Sequence, residues 1–156
     1  MMIEILKTNF EHTDARGRLV QLVREGYEQV NVLISNHEAQ RGDHYHKEVR
    51  EAFYIISGSV FLTAKREEQT QEYYFSTGDF FEIEPLTIHS MRFPEYCVMV
   101  QMYSKSVERS DGTKDIHTVR GQFNLWINTQ EYALSEIRVH WDRQFAGSLR
   151  SKVMQI

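Results

Sequence analysis

The sequence predicts an all-β domain, an antiparallel barrel or sandwich followed by one amphipathic helix at the C-terminal end. Three observations carry this prediction. Between Ile3 and Tyr103 the apolar residues come in short runs rich in Val, Ile, Tyr and Phe, side chains that suit a pleated, half-buried surface. The breaks between runs carry Gly, Asn, Asp or charged residues and are too short for helices, so neighbouring runs must pair antiparallel. Further on, Leu134, Ile137, Trp141, Phe145, Leu149 and Val153 recur every three or four residues, which is helical spacing.

Taken in order, the strand candidates are residues 3–6, 19–23 and 29–35, then 52–56 and 60–64 joined by the turn Ser57-Gly58, then 72–75, 80–84, 88–93 and 97–103. Each is a short apolar or alternating run bounded by turn residues. Asn128 with Glu131 three residues later makes an N-terminal cap, which opens a helix over residues 129–153 with Gly147 as its weak point. That helix packs on the barrel or on a second subunit. The expected division is a barrel over 1–125 and the helix over 126–156, since 156 residues with 41% apolar content supply one core and not two.

Composition narrows the function. With 22 acidic against 18 basic residues the formal charge is −4, which exerts no general pull on nucleic acid or anionic lipid, so an anionic substrate needs a local cationic cluster. No run reaches the roughly 20 apolar residues of a membrane helix, and Glu4 and Lys7 interrupt the first ten residues. Neither a membrane span nor a signal peptide is expected. The single cysteine, Cys97, cannot form an internal disulfide, which suits a reducing cytoplasm. Between Tyr96 and Val98 it reads as a buried strand thiol.

The chemistry concentrates between Arg41 and Gly58. His44 and His46 are two apart, so on a strand their imidazoles face one side. Glu51 follows His46 after a length of chain that can turn and bring the carboxylate back from the adjoining strand. Glu51, Phe53 and Ile55 share an apolar, interior face, where an unpaired carboxylate is costly. His89, Met91 and Phe93 alternate with Ser90 and Arg92, so His89 also points inward, whereas Tyr45 turns to the face opposite the two histidines beside it. Three imidazoles and one carboxylate suit a divalent transition metal, with Fe, Mn, Ni, Zn and Co all compatible, and leave one or two positions for water or substrate.

His44-x-His46, Glu51 and Gly58, followed by Gly78, Pro85 and His89, resemble the two conserved motifs of the cupin superfamily. The resemblance covers residues 3 to 103 and implies a single-domain cupin, a small RmlC-like jelly roll, usually a homodimer, with the metal at its centre. Asp14-Ala-Arg16-Gly17-Arg18-Leu19 and Arg41-Gly42-x-His44-x-His46-Lys47 resemble, more narrowly, the sugar-nucleotide 3,4-ketoisomerases and 3,5-epimerases that act on dTDP-4-keto-6-deoxy sugars. In the ketoisomerases the two histidines are an acid/base pair without a metal, which assigns His44 and His46 a catalytic role. Here Glu51 replaces their usual glutamine, and Val30 and Asn31 replace their tyrosines. In this the chain looks closer to the metal-binding cupin domains of capsular-sugar reductases.

Arg16, Arg41 and Lys47 flank the proposed cavity in sequence, and guanidinium forks match a diphosphate. They are the candidates for binding a nucleotide-sugar, with Tyr54 and Tyr103 as possible phenol donors. His12, His37, His117 and His140 show no ligand spacing, and of these His117 is the one within reach of the barrel mouth. The expectation is a metal-binding isomerase or epimerase of a keto sugar, working by proton abstraction next to a carbonyl. The alternatives are a metal-dependent oxygenase and a non-catalytic small-molecule-binding cupin.

Overall fold

The structure, a computed structural model, describes residues 1–119 and 153–154. In chain order the strands are β1 (Ile3–Ile5), β2 (Phe10–Asp14), β3 (Gly17–Gln21), β4 (Gln29–Ser35), β5 (Gln40–Tyr45), β6 (Glu51–Ser57), β7 (Ser59–Arg66), β8 (Gln69–Ser76), β9 (Phe80–Ile83), β10 (Ile88–Arg92), β11 (Cys97–Tyr103), β12 (His117–Thr118) and β13 (Val153–Met154). Among the described residues there is no helix, and none is long and apolar enough to cross a membrane.

The strands form a five-stranded sheet in the order β1-β9-β6-β11-β4, a six-stranded sheet in the order β12-β5-β10-β7-β8-β13, and a separate β2-β3 hairpin. Every pairing is antiparallel. The inward residues of the two larger sheets meet in one core. Phe53, Ile55, Phe81, Ile83 and Met99 come from the five-stranded sheet; Val60, Leu62, Ala64, Tyr73, Phe75 and Met91 come from the six-stranded one. Stacking of Phe75 on Phe81, with ring centroids 3.9 Å apart, ties the two layers together. Cys97 is fully buried in this core, as its flanking residues predict.

Alternation sends the other residues of β6 to the outside of the five-stranded sheet. Ala52 and Tyr54 form a second cluster there with Phe80 and Met102, packed against Leu6, Val20, Leu22, Val23 and Tyr27. The residues that follow the β2-β3 hairpin thus cover this face.

The strands predicted from hydrophobic runs are all present, with ends shifted by a few residues. Strand β2 is absent from the prediction because every residue of it is exposed, and a strand that buries nothing leaves no apolar alternation to read. Strand β12 is only two residues long, too short for a pattern to show. Strand β5 is absent from the strand candidates because its run Gln-Arg-Gly-Asp-His-Tyr is polar and glycine-containing, although the His44/His46 spacing is itself read as strand geometry. The helix predicted over residues 129–153 lies outside the described residues, except that Val153 pairs as a strand with Tyr73 of β8.

Candidate metal centre and active site

His44 and His89 are direct cross-strand partners on β5 and β10, and the register slips between His89 and Ser90. Gly42 makes this slip possible. Its φ is 104°, and a Cβ there would meet the His89 carbonyl oxygen at 2.5 Å, so only glycine lets the two backbones approach this closely. His46 lies just past the end of β5. Residues 47–50 then carry the chain from the six-stranded sheet to the five-stranded one, where Glu51 opens β6. The adjoining strand that brings the carboxylate back therefore belongs to the opposite sheet.

One potential ligand atom from each of His44, His46, Glu51 and His89 lies within 4.8 Å of the others. His46, Glu51 and His89 are almost fully buried, at 3%, 1% and 2% exposure, so these groups face one another with little access to water. Glu51 Oε2 is 3.3 Å from His46 Nε2 and 3.1 Å from His89 Nε2. The His44 ring lies 4.5 Å from that of His89 and 5.1 Å from that of His46, centroid to centroid.

The proton positions follow from the partners. His46 Nδ1 is bonded to the Asp115 carbonyl, and His89 Nδ1 to the Thr87 carbonyl at 3.0 Å. A carbonyl can only accept, so both Nδ1 atoms carry the proton and both neutral rings present a lone pair at Nε2. Those lone pairs point at a carboxylate oxygen. Donor atoms of this kind come together only around a cation, either a proton or a metal ion. His44 Nε2, His46 Nε2 and Glu51 Oε2 are buried without a hydrogen-bond partner, as expected of ligand atoms directed at one shared centre. Three imidazole nitrogens and one carboxylate oxygen fit a divalent transition metal.

Electrostatics agree with the geometry. Burial, reinforced by the neighbouring His89, pushes the His44 imidazole down to about 4. For His46 burial also opposes charge, but the adjacent Glu51 carboxylate wins and raises its pKa above the ordinary value. Glu51 is held well below the usual carboxylate range because His46 and His89 outweigh its own burial. On its far side Glu51 meets two β11 side chains. Gln101 Nε2 donates to Oε1 at 2.7 Å, and Tyr103 stands beside Glu51 as its direct cross-strand partner. Burial, then Glu51, drives the Tyr103 phenol far above its ordinary pKa, and its ring stands edge-on to His46 at 5.5 Å.

Of the residues singled out from sequence, the fold brings together His44, His46, Glu51, His89 and Tyr103. Arg41 is held at the end of β4, with Nε donating to Ser35 Oγ and Nη2 to the Ile34 carbonyl, both at 2.9 Å. Lys47 is exposed on the turn after His46. Arg16 projects from the β2-β3 turn, exposed and paired with Asp14 at 2.6 Å. Tyr54 is not brought to the centre: it faces the outer cluster, edge-on to Phe80, because the alternation that turns Glu51 inward turns Tyr54 outward. His117 stacks on Tyr45, 5.1 Å between centroids, with its Nε2 3.2 Å from Asp115.

Sequence reasoning missed two residues of the surroundings. Gln101 is two positions from Tyr103 on β11 and so shares its inward face, a signal available from alternation. Asp115 is separated from His46 by 69 positions, and no local pattern marks it. Its buried carboxylate accepts the backbone N–H groups of Lys47, Glu48 and Val49 at 3.0, 2.9 and 3.2 Å. Burial opposes its charge, but these N–H groups and His117 hold its pKa below the ordinary value.

Comparison with solved structures places this architecture among cupin-type jelly rolls. A 3,4-ketoisomerase from Helicobacter canadensis superposes with a TM-score of 0.65 at 16% identity, over 81% of this chain and 97% of that one. A variant of the 3,4-ketoisomerase QdtA from Thermoanaerobacterium thermosaccharolyticum, solved with TDP-4-keto-6-deoxyglucose, gives 0.61 at 18% identity, over 93% and 97%. The capsular polysaccharide assembling protein CapF from Staphylococcus aureus gives 0.55 at 19% identity, over 76% of this chain but 33% of that longer one. No curated protein is similar enough in sequence to match. The sequence profile of the polysaccharide biosynthesis C-terminal domain does match, over residues 12–129, and on that ground, with the jelly roll and its buried centre in agreement, the chain belongs to this family.

Proposed function

We propose that this protein is a metal-binding isomerase or epimerase of a nucleotide-linked keto sugar. The observation that carries the proposal is the convergence of His44, His46 and His89 on Glu51 Oε2 inside the jelly roll. It is supported by the family and by structural neighbours named as sugar 3,4-ketoisomerases, one of them solved with a 4-keto-6-deoxy sugar nucleotide. His44, His46, Glu51 and His89 would hold the divalent ion. When bound, such an ion acts as a Lewis acid that polarises a keto oxygen and makes the adjacent C–H more acidic.

The chain's own residues supply the rest. Gln101 holds the Glu51 carboxylate in one orientation, and the buried walls limit water around the reacting carbons. Lys47, exposed beside His46, and Arg16 of the hairpin are the proposed contacts for the diphosphate, while Arg41 is committed to Ser35 and the Ile34 carbonyl at the end of β4. The reaction removes a proton from a carbon next to the keto group and returns one, which moves the carbonyl or inverts a centre.

The test is elemental analysis of protein purified without an affinity tag, combined with deuterium exchange from D2O into a panel of 4-keto-6-deoxy sugar nucleotides. Near-stoichiometric metal in the wild type, lost in His46→Ala and Glu51→Ala, together with exchange next to the carbonyl, is the expected result. Exchange by metal-free protein leaves His44 and His46 as an acid/base pair. Absence of exchange across the panel sinks the isomerase reading.

A further inference from the structure

We infer that Asp115 is a positioning residue for the centre, one that grips His46 both by its ring and by the backbone that follows it. This deepens the proposed function and rests on the reading of His46 as a functional ligand. The carbonyl oxygen of Asp115 accepts from His46 Nδ1, which fixes the ring orientation and leaves Nε2 facing Glu51. The carboxylate of the same residue accepts three successive backbone N–H groups, of Lys47, Glu48 and Val49.

Those three residues form the crossing between His46 in one sheet and Glu51 in the other. One buried residue, 1% exposed, thereby sets the tautomer of one ligand through its backbone carbonyl and the path that delivers the next through its carboxylate. Asp115 is itself anchored from two directions. Its N–H donates to the Val107 carbonyl at 3.0 Å, and His117, two residues on, lies against its Oδ1 while stacking on Tyr45. The segment is fastened to β5 by the β12 pairing of His117 with Tyr45 and Thr118 with His44. A successive run of N–H groups around one carboxylate also neutralises the backbone donors of a turn that lacks strand partners.

The molecule contains its own control. His89 Nδ1 is held by the Thr87 carbonyl, on the turn that Arg66 fastens through Pro85 and Thr87, a set of bonds separate from those of Asp115. The experiment is long-range 1H–15N correlation NMR of the metal-free protein, at a pH that leaves the imidazoles neutral, on the wild type, Asp115→Ala and Asp115→Asn. The wild type is expected to show both His46 and His89 protonated at Nδ1. In Asp115→Ala the backbone carbonyl remains, but nothing clamps the 47–49 turn to its segment, so the carbonyl no longer stays against the ring and His46 should lose this single tautomer while His89 keeps it. Asp115→Asn should behave in the same direction, because whichever way its amide turns, the NH2 group faces a backbone N–H from which it cannot accept.

An unchanged His46 tautomer in a folded variant overturns the proposal. Collapse of the His89 signal in both variants also overturns it, since Asp115 is then required for the whole fold and not for one ligand. Titration with Zn2+ supplies a second readout, in which the alanine variant is expected to bind at least about tenfold more weakly. A wild type that shows the expected tautomers but takes up no Zn2+ refutes the metal centre and leaves the Asp115 result standing by itself.

Discussion

The side-chain amide of Gln101 donates to Oε1 of Glu51 at 2.7 Å, and this leaves Oε2 as the carboxylate oxygen that faces His46 and His89. The orientation of the carboxylate is thus set from β11, on the side away from the histidines. Gln101→Leu keeps the side chain's bulk and removes the donor. The variant is expected to be less stable by about 1–3 kcal/mol, the cost of leaving a buried polar atom without its partner, and to bind Zn2+ about tenfold more weakly. Urea denaturation and calorimetric titration check the two effects; a variant equal to wild type in both removes Gln101 from the centre.

Gly42 and Gly58 separate site from scaffold. A Cβ at Gly42 meets the His89 backbone, while one at Gly58 (φ 85°) meets the Tyr96 carbonyl and, at 2.9 Å, Cys97 Cα. Either glycine changed to alanine should cost about 2 kcal/mol or more through backbone strain. Gly42→Ala strains the backbone at the His44–His89 pair itself, whereas Gly58 lies just past the end of β6 that is far from Glu51. The folded fraction of Gly58→Ala should bind Zn2+ like the wild type, and that of Gly42→Ala should not; equal affinities would show that the close approach at Gly42 does not position His44 and His89.

The depressed His44 gives a pH dependence with a definite sign. Its folded pKa is about 4 against an ordinary 6.5, so within that window the unfolded chain binds a proton that the folded one does not. Metal-free protein therefore loses stability from this group as the pH falls from 6.5 toward 4. His44→Asn removes the contribution. Urea midpoints measured at steps across that window, with a chelator present, should move against the wild type relative to H44N as the pH drops, and a constant difference would contradict the buried, neutral imidazole.

The two tyrosines should behave oppositely. Tyr103 is the cross-strand partner of Glu51 and stands edge-on to His46, whereas Tyr54 is packed in the outer cluster of the five-stranded sheet. Tyr103→Phe, which removes the phenol beside the Glu51 carboxylate, is expected to lower deuterium exchange into a 4-keto sugar nucleotide by about tenfold or more. Tyr54→Phe should leave exchange within about twofold of wild type. Comparable losses in both would mean that the outer face of the sheet takes part in substrate binding.

Local pattern made much of the centre legible. Histidines two apart share a strand face, and Glu51 shares the face of Phe53 and Ile55, while His89 shares that of Met91 and Phe93. Each inference needs only the period-two geometry of a strand. The same rule, carried one residue further along β6, excludes Tyr54. It has no purchase on β2, which buries nothing on either face, nor on the turn of residues 47–50, whose course depends on a carboxylate from a distant segment.

What the sequence by itself determined is therefore the antiparallel β class and the identity of the four ligand candidates, because both are written in spacings shorter than a strand. Tertiary structure alone decided that Glu51 reaches the histidines from the opposite sheet, that Gln101 orients its carboxylate, and that Asp115 closes around His46. The physical reason is that a buried hydrogen bond or ion pair is specified by what meets in space. The pairs His46 with Asp115 and Glu51 with Gln101 are separated by 69 and 50 positions, and only the packing of the two sheets brings them within reach.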